Sequence, residues 1–288
     1  MQKSFPLLLL LAMLVLPFAA RSQAILRTAP LTAGDLQVGG ELVGLPSGTK
    51  RWVTYEDLLK LPLETYTVSD DTNFPAGTVV SGVALDTLVR RFGQSPDADL
   101  IVAICYDHYR ANYPRAYMAA HHPLLVLRIN GRLRDQWPKS EHGGPMGPFL
   151  ISHPFFKSES MVLTHAEEPQ IPYGITRIEL RRESVVFGAI LPKGNWAANS
   201  PVMQGYEIAR EDCFRCHNMG NEGGRMAGRS WLTLSNKARS YPALFRQIIR
   251  HPTSVKPDAK MPEHSEYDES ILNALTAYFR TFSSARSH

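Results

Sequence analysis

The run Cys213-Phe214-Arg215-Cys216-His217 constrains this 288-residue chain more than any other part of its sequence. Residues three and four positions apart share a helix face, so two thiols and an imidazole can address one flat ligand from the same side. The C-x-x-C-H string is a signature of covalent haem attachment. A chance match or an incomplete zinc knuckle is the alternative, but no second pair of zinc ligands lies nearby. The sequence therefore predicts one haem c, bound by Cys213 and Cys216, with His217 on its iron.

The first 24 residues have the three parts of a secretory signal peptide. Lys3 supplies the positive charge, Leu7 to Leu16 the apolar segment, and Ser22-Gln23-Ala24 a cleavage site of the small-x-small type. The apolar segment is too short to span a bilayer, although an uncleaved membrane anchor remains an alternative. No later stretch is long and apolar enough to cross a membrane. We therefore predict an exported, periplasmic protein whose mature chain has no membrane span.

Composition and charge narrow the class of partner. The chain is 44% hydrophobic and 20% charged, which is typical of a globular protein, and it is long enough for about two domains. The formal net charge of +4 includes Lys3 and Arg21 of the signal peptide, so the mature chain is closer to neutral. Nucleic-acid binding is not predicted, because nucleic-acid-binding proteins concentrate strong positive charge on one face.

A stretch rich in Pro, Gly, Asn and Ser at residues 192–199 separates two kinds of sequence and is predicted to be a linker. Upstream of it, short apolar runs predict strands at Leu100–Cys105, Leu124–Ile129 and Ile175–Leu180, and a helix is predicted near Ala84–Phe92. Downstream of it the chain is mainly helical. We therefore predict two domains after the signal peptide at 1–24: an α+β domain with a mixed sheet at 25–191, and an all-α domain at 200–288.

Three helices are predicted in the downstream domain. The first begins with Ser200 as N-cap and Pro201 at the first helical position, and it continues towards the haem motif. The second covers roughly Tyr241 to Arg250. Ser265, followed by Asp268, predicts the start of the last helix. Its apolar stripe follows the 3.6-residue helical period and consists of Ile271, Leu272, Leu275, Tyr278, Phe279 and Phe282.

The region from Ser200 to Phe282 resembles a class I cytochrome c. The resemblance implies that Gly205 lies where the first and last helices cross, and that Tyr278 packs on it. It also implies that Lys260-Met261-Pro262 delivers Met261 as the sixth iron ligand. A methionine can instead fill an apolar pocket, and His251 or His264 is an alternative ligand.

Two positions depart from the cytochrome pattern. Ala209 stands where an aromatic residue is common. Ser230-Trp231-Leu232 lacks the proline whose carbonyl oxygen normally accepts a hydrogen bond from the proximal imidazole. We expect His217 to need such an acceptor, because it fixes the ring and tunes the iron, but the sequence does not identify it.

The upstream region is similar to the sulfite-oxidase-type molybdopterin-binding fold. The similarity rests on four short segments in order: Gly82-Val83-Ala84-Leu85, Asp107-His108-Tyr109, Asn130-Gly131 and Gly143-Gly144-Pro145. That family holds molybdenum with a cysteine before the first segment, and residues 65–80 contain no cysteine. The remaining Cys105 is expected to be a buried thiol on a core strand. We therefore predict a relative without molybdenum, and molybdopterin is not expected either.

Together these features favour an exported electron carrier over a stand-alone enzyme. Its haem, ligated by His217 and Met261, would transfer one electron at a time, and no catalytic residue is assigned. The upstream domain would dock a redox partner, either an oxidoreductase or another cytochrome. Two alternatives stay open. One is a molybdopterin-dependent, sulfite-oxidase-like enzyme that passes electrons to its own haem, and the other is a redox or gas sensor that exchanges an iron ligand.

Overall fold

The computed structural model describes residues 25–68, 71–140 and 143–282, so the predicted signal peptide lies outside the described residues. Within these ranges the chain has a mixed α/β architecture with two main sheets and nine α-helices. This architecture is compatible with two domains. The domain boundaries and the two finer fold resemblances stay predictions. Among the described residues, no helix is both long enough and apolar enough to cross a bilayer.

Residues 25–191, called the upstream part below, contain nearly all of the β-structure. Its elements in chain order are β1 (Leu36–Gly40), β2 (Arg51–Val53), α1 (Tyr55–Leu58), β3 (Glu64–Thr67), β4 (Val79–Ala84), α2 (Leu85–Phe92), β5 (Leu100–Cys105), β6 (Arg110–Pro114), α3 (Arg115–His121), β7 (Leu124–Ile129), β8 (Leu150–Ser152), β9 (Met161–Val162), β10 (His165–Ala166), β11 (Ile175–Arg181) and α4 (Glu183–Gly188). The three predicted strands are confirmed as β5, β7 and β11, and the predicted helix is confirmed as α2.

The strands form a five-stranded sheet, ordered β2-β1-β11-β5-β6, and a four-stranded sheet, ordered β3-β4-β7-β8. All neighbouring strands run antiparallel except β1 and β11, which are parallel. The main hydrophobic core takes side chains from both sheets, among them Val38, Ala103 and Leu125. Burial of these apolar side chains is the main force holding the two sheets together.

Residues 200–282, called the helical part below, contain the haem motif. Its elements are α5 (Pro201–Glu211), β12 (Asn218–Met219), β13 (Glu222–Gly223), α6 (Trp231–Ser240), α7 (Pro242–Arg250), α8 (Pro252–Val255) and α9 (Glu269–Phe279). The predicted start of α5 is confirmed, since the Ser200 side chain accepts a hydrogen bond from the Met203 N–H. Helix α9 starts later than Ser265, because Asp268 is its N-cap and accepts from the Ile271 N–H.

Helices α5 and α9 cross at Gly205. A Cβ atom on Gly205 would lie 2.1 Å from the Ala274 carbonyl oxygen and 2.8 Å from Cβ of Tyr278. No side chain fits in that space, so the two helix backbones approach as closely as a glycine allows. The expected contact between Gly205 and Tyr278 is therefore present. It brings the end of α5, and with it the haem motif, against the apolar face of α9.

The upstream and helical parts share a second hydrophobic core. Strand β5 is buried on both faces: Ile101, Ala103 and Cys105 face the main core. Leu100, Val102 and Ile104 join the second core with Phe187 of α4 and the aromatic side chains of the helical part. The helices thus pack directly on the outer face of the five-stranded sheet. The predicted linker at 192–199 runs over the surface between them and is largely exposed.

Candidate haem site

The haem motif forms one tight turn directly after α5. Residues Cys213–Arg215 are a short 3₁₀ helix, and the N–H groups of Cys216 and His217 both donate to the Cys213 carbonyl oxygen, at 3.2 Å and 2.9 Å. This backbone holds the two cysteines and His217 within a single turn. These local backbone hydrogen bonds are sufficient to place the three motif residues close together, as the sequence predicted.

The imidazole of His217 is held by a backbone carbonyl group. Its Nδ1 lies 2.8 Å from the carbonyl oxygen of Arg229, just before α6. Because a carbonyl oxygen only accepts hydrogen bonds, Nδ1 carries the proton and the lone pair of Nε2 remains available to a metal. Burial lowers the pKa of His217, which favours the neutral imidazole, the form able to act as a metal ligand. Arg229 thus supplies the acceptor that the sequence could not identify.

The two motif cysteines are free thiols, and no disulfide joins them. Burial raises the pKa of both thiols, that of Cys216 to about 11 and that of Cys213 further. Both are therefore protonated near neutral pH. The Sγ atom of Cys216 lies 3.9 Å from the Sδ atom of Met226. Neither thiol is in a disulfide, so both are available for covalent attachment of a cofactor.

The backbone of Gly223 and Gly224, at the end of β13, lies directly against the haem motif. Sequence analysis did not predict this contact. A Cβ atom on Gly223 would lie 2.5 Å from the His217 carbonyl oxygen, and one on Gly224 would lie 1.7 Å from that of Arg215. The Gly224 N–H donates to the Phe214 carbonyl oxygen at 2.9 Å. The hairpin backbone therefore lies directly on the motif turn and fixes its shape. The adjacent glycines at 223 and 224 are the sequence signal that could have revealed this close approach.

Met261 lies in the loop between α8 and α9, partly buried against the same hydrophobic core as Cys213. The alternative ligands have other partners. His251 lies 3.6 Å from Glu263 and is half-exposed, whereas the ring of His264 stacks on Tyr267 at 4.6 Å between centroids. The assignment of Met261 as the sixth ligand stays a prediction.

The upstream part contacts the motif hairpin through polar groups. The Arg225 N–H donates to the His108 carbonyl oxygen at 3.0 Å, and Glu222 pairs with Arg181 at 2.5 Å and with Arg110 at 3.6 Å. These contacts border a cleft of about 320 Å³ between the two parts of the chain. The hairpin over the motif turn is thus anchored to the five-stranded sheet as well as to the helices.

Cys105 does not contribute a ligand to this site. Its side chain lies in the main core of the upstream part, as predicted, and burial raises its pKa far above the ordinary value for a thiol. A thiolate at this position is therefore disfavoured. The sequence has only three cysteines, so no other thiol outside the haem motif is available to bind molybdenum.

No protein-family model matches this chain, and no curated protein matches it. Among solved structures, the chain is similar to the sulfane dehydrogenase SoxCD from Paracoccus pantotrophus, with 16% sequence identity and a TM-score of 0.35. The match covers 54% of this chain and 40% of the SoxCD chain, so this chain spans less than half the length of the SoxCD chain. A likeness at this level assigns neither a family nor an activity.

Proposed function

We propose that this protein binds one covalent haem c and transfers single electrons. The observation that carries the proposal is the turn after α5, which presents Cys213, Cys216 and a neutral His217 together. With Nδ1 bound to the Arg229 carbonyl oxygen, the free Nε2 of His217 is available as an axial ligand. Met261 would be the other axial ligand. When bound, a haem with histidine and methionine ligands supplies reversible one-electron chemistry at a raised reduction potential.

The chain's own residues would position and insulate the cofactor. The Arg229 carbonyl fixes the ring of His217, and the Gly223–Gly224 backbone keeps the motif turn closed. Fully buried aromatic side chains next to the motif, including Phe214, Trp231 and Phe279, exclude water from this side of the site. A dry surrounding and a fixed ligand ring are the means by which a protein tunes a haem.

The proposal extends to location and partners. The N-terminal sequence supports export to the periplasm, and the upstream part would dock an oxidoreductase or another cytochrome that exchanges electrons with the haem. The polar contacts of the motif hairpin with Arg110 and Arg181 support this arrangement, because a partner bound to the upstream part beside that hairpin would lie near the haem turn. Molybdenum is not part of the proposal, since the upstream part offers no exposed thiolate.

The direct test is the mass of protein produced in a bacterium with an active cytochrome c maturation system. We expect the wild-type chain to gain the mass of one haem that denaturation does not remove. Cys105→Ser should retain the haem, because that thiol lies in the upstream core, whereas a variant with Cys213→Ala and Cys216→Ala should lose it. Wild-type protein without added haem mass would refute the proposal. Elemental analysis of the same sample should give iron and no stoichiometric molybdenum.

The sixth ligand is tested by Met261→Ala. We expect this variant to keep its covalent haem, to lose the far-red thioether–iron absorption band of the oxidised protein, and to have a lower reduction potential. Met226→Ala is the matched control, because Met226 lies beside Cys216 but belongs to the hairpin side of the motif. Unchanged spectra in Met261→Ala would assign the sixth position to another residue.

A further inference from the structure

A second cluster of potential ligands lies beside the haem motif. His165 is on β10, Glu211 is the last residue of α5, and Asp212 follows it. One donor atom from each of these residues lies within 4.8 Å of the others. His165 Nε2 is 3.4 Å from Asp212 Oδ2 and 3.9 Å from Glu211 Oε2. None of the three was singled out from the sequence, because His165 is 46 positions from Glu211.

These separations suit a small divalent cation. Zinc binds histidine nitrogen and carboxylate oxygen at about 2.0 to 2.2 Å, which places neighbouring donors of a tetrahedral site about 3.3 Å apart. The distance between His165 Nε2 and Asp212 Oδ2 already has about this length. A small rotation of the Glu211 side chain would shorten its distance to His165 from 3.9 Å to the same value. Imidazole nitrogen is a preferred ligand of zinc, and zinc also accepts carboxylate oxygen, so this donor set suits a zinc ion.

Two atoms of the cluster are buried without a hydrogen-bond partner. They are His165 Nε2, on a residue that is 7% exposed, and Asp212 Oδ1, on a side chain that is 6% exposed. Buried polar atoms in folded proteins almost always have a partner. The unpartnered nitrogen of His165 faces the two carboxylates, so the arrangement indicates a ligand between them.

The charge of the cluster points to a cation. Both carboxylates lie at the C-terminal end of α5, where the helix dipole is negative and a positive charge is favourable. Arg215 is close, but its Nε donates to the Glu211 backbone carbonyl at 2.6 Å. Its Nη2 donates at 2.7 Å to the Gln170 amide oxygen, in the amide orientation that satisfies both groups. The guanidinium stays 3.7 Å and 3.9 Å from the Asp212 and Glu211 carboxylates, so it hydrogen-bonds to neither of them.

Neighbouring groups orient the two carboxylates. The Tyr267 hydroxyl donates to Asp212 Oδ2, and the Glu168 N–H donates to Glu211 Oε1 at 2.5 Å. The second bond leaves Glu211 Oε2 free to face His165. Hydrogen bonds of this kind to the carboxylates of a metal site hold them in the geometry that the metal requires.

We propose that His165, Glu211 and Asp212 form a structural site for one divalent cation, zinc by its donor set. The cation would join β10 of the upstream part to the end of α5, one residue before the first haem cysteine. The site would therefore stabilise the packing of the helical part on the upstream part. It is independent of the haem proposal, because none of its three ligands belongs to the haem motif.

The test is a zinc titration of the full-length, haem-loaded protein after dialysis against a chelator. We expect one tightly bound zinc by calorimetry, a higher melting temperature with zinc, and a zinc X-ray absorption spectrum with one imidazole and oxygen ligands only. His165→Gln and Asp212→Asn should weaken this binding by at least about 100-fold. The matched control is His251→Gln, which alters an exposed histidine that also lies near a glutamate and should leave the tight site intact.

Two results would overturn the proposal. One is wild-type protein that binds no stoichiometric zinc, which would make the cluster a polar contact between His165 and Asp212 without a cation. The other is zinc bound equally well by folded His165→Gln protein. If that variant does not fold, the zinc affinity of Tyr267→Phe tests the proposal instead, because this change removes only the hydrogen bond to Asp212. We expect a loss of affinity of about 10-fold or more, and unchanged affinity would count against the site.

Discussion

The buried His153 makes the stability of the upstream part depend on pH. Its Nε2 lies 2.9 Å from the Tyr117 hydroxyl oxygen, which itself accepts a hydrogen bond from the Gln170 N–H at 2.7 Å. One hydrogen bond therefore joins the Tyr117 hydroxyl to the buried imidazole. Burial, with a smaller effect from His121, lowers the pKa of His153 to about 3. The folded protein thus keeps this ring uncharged well below the pH at which the unfolded chain protonates it.

We predict that the free energy of unfolding falls as the pH drops below about 6.5, by up to about 1.4 kcal/mol per pH unit from this residue. Between the unfolded and folded pKa values, the unfolded chain binds one more proton, so acid favours unfolding. His153→Gln, whose amide can still form a hydrogen bond with Tyr117 but does not titrate, should show a shallower loss of stability in urea unfolding between about pH 7 and pH 4. His122→Asn, a change at an exposed histidine, should keep the wild-type slope. Equal slopes in all three proteins would contradict the prediction.

At the scale of the secondary-structure elements, the crossing of α5 and α9 fixes the position of the haem turn. We predict that Gly205→Ala lowers the free energy of unfolding by about 1 to 3 kcal/mol or more, because its Cβ would overlap the Ala274 carbonyl group. Gly188→Ala in α4 is the matched control. A Cβ there would meet no atom within 4 Å, so the change should be neutral or slightly stabilising. Chemical denaturation measures both, and equal stabilities would show that the helices do not cross this closely.

The elements that the sequence predicted are those specified by local patterns. Helix α9 has a continuous apolar stripe, and Ser200 and Pro201 mark the start of α5 with side-chain and backbone chemistry at adjacent positions. The continuous apolar run of β5 predicted a strand, yet it could not show that each face belongs to a different core. The parallel pairing of β1 with β11 joins residues about 140 positions apart, and no local pattern encodes it.

In the candidate sites, too, the features set by local sequence could be predicted and those set by tertiary packing could not. The spacing of Cys213, Cys216 and His217 is local and was predicted from the sequence. The hydrogen-bond acceptor for His217 is a backbone carbonyl, and any residue type at position 229 would supply it, so side-chain identity carries no signal. His165 joins Glu211 and Asp212 only because β10 packs beside the end of α5. Sites that depend on tertiary packing of this kind require the folded structure.

At the scale of the whole molecule, the shared second core couples the upstream and helical parts. Phe187 of α4 belongs to this core, with its ring centroid 6.3 Å from that of Phe214 in the haem motif and the Arg210 guanidinium 5.2 Å from its ring. Removing such a side chain costs the buried apolar surface and leaves a cavity between the two parts. Removing the Phe187 ring should therefore destabilise both the upstream part and the helical part.

We predict that Phe187→Ala lowers the free energy of unfolding by about 3 to 5 kcal/mol and that both parts lose protection together. Hydrogen exchange measured by mass spectrometry separates the two parts, because peptides from β1 and β11 report on the sheet and peptides from α9 on the helices. The same loss of protection is expected in both sets. Val185→Ala, at a position that is 44% exposed on the same helix, should change stability by no more than about 0.5 kcal/mol. Faster exchange confined to α9 would mean that the helices unfold independently of the sheet, and that the core they share does not make them one cooperative unit.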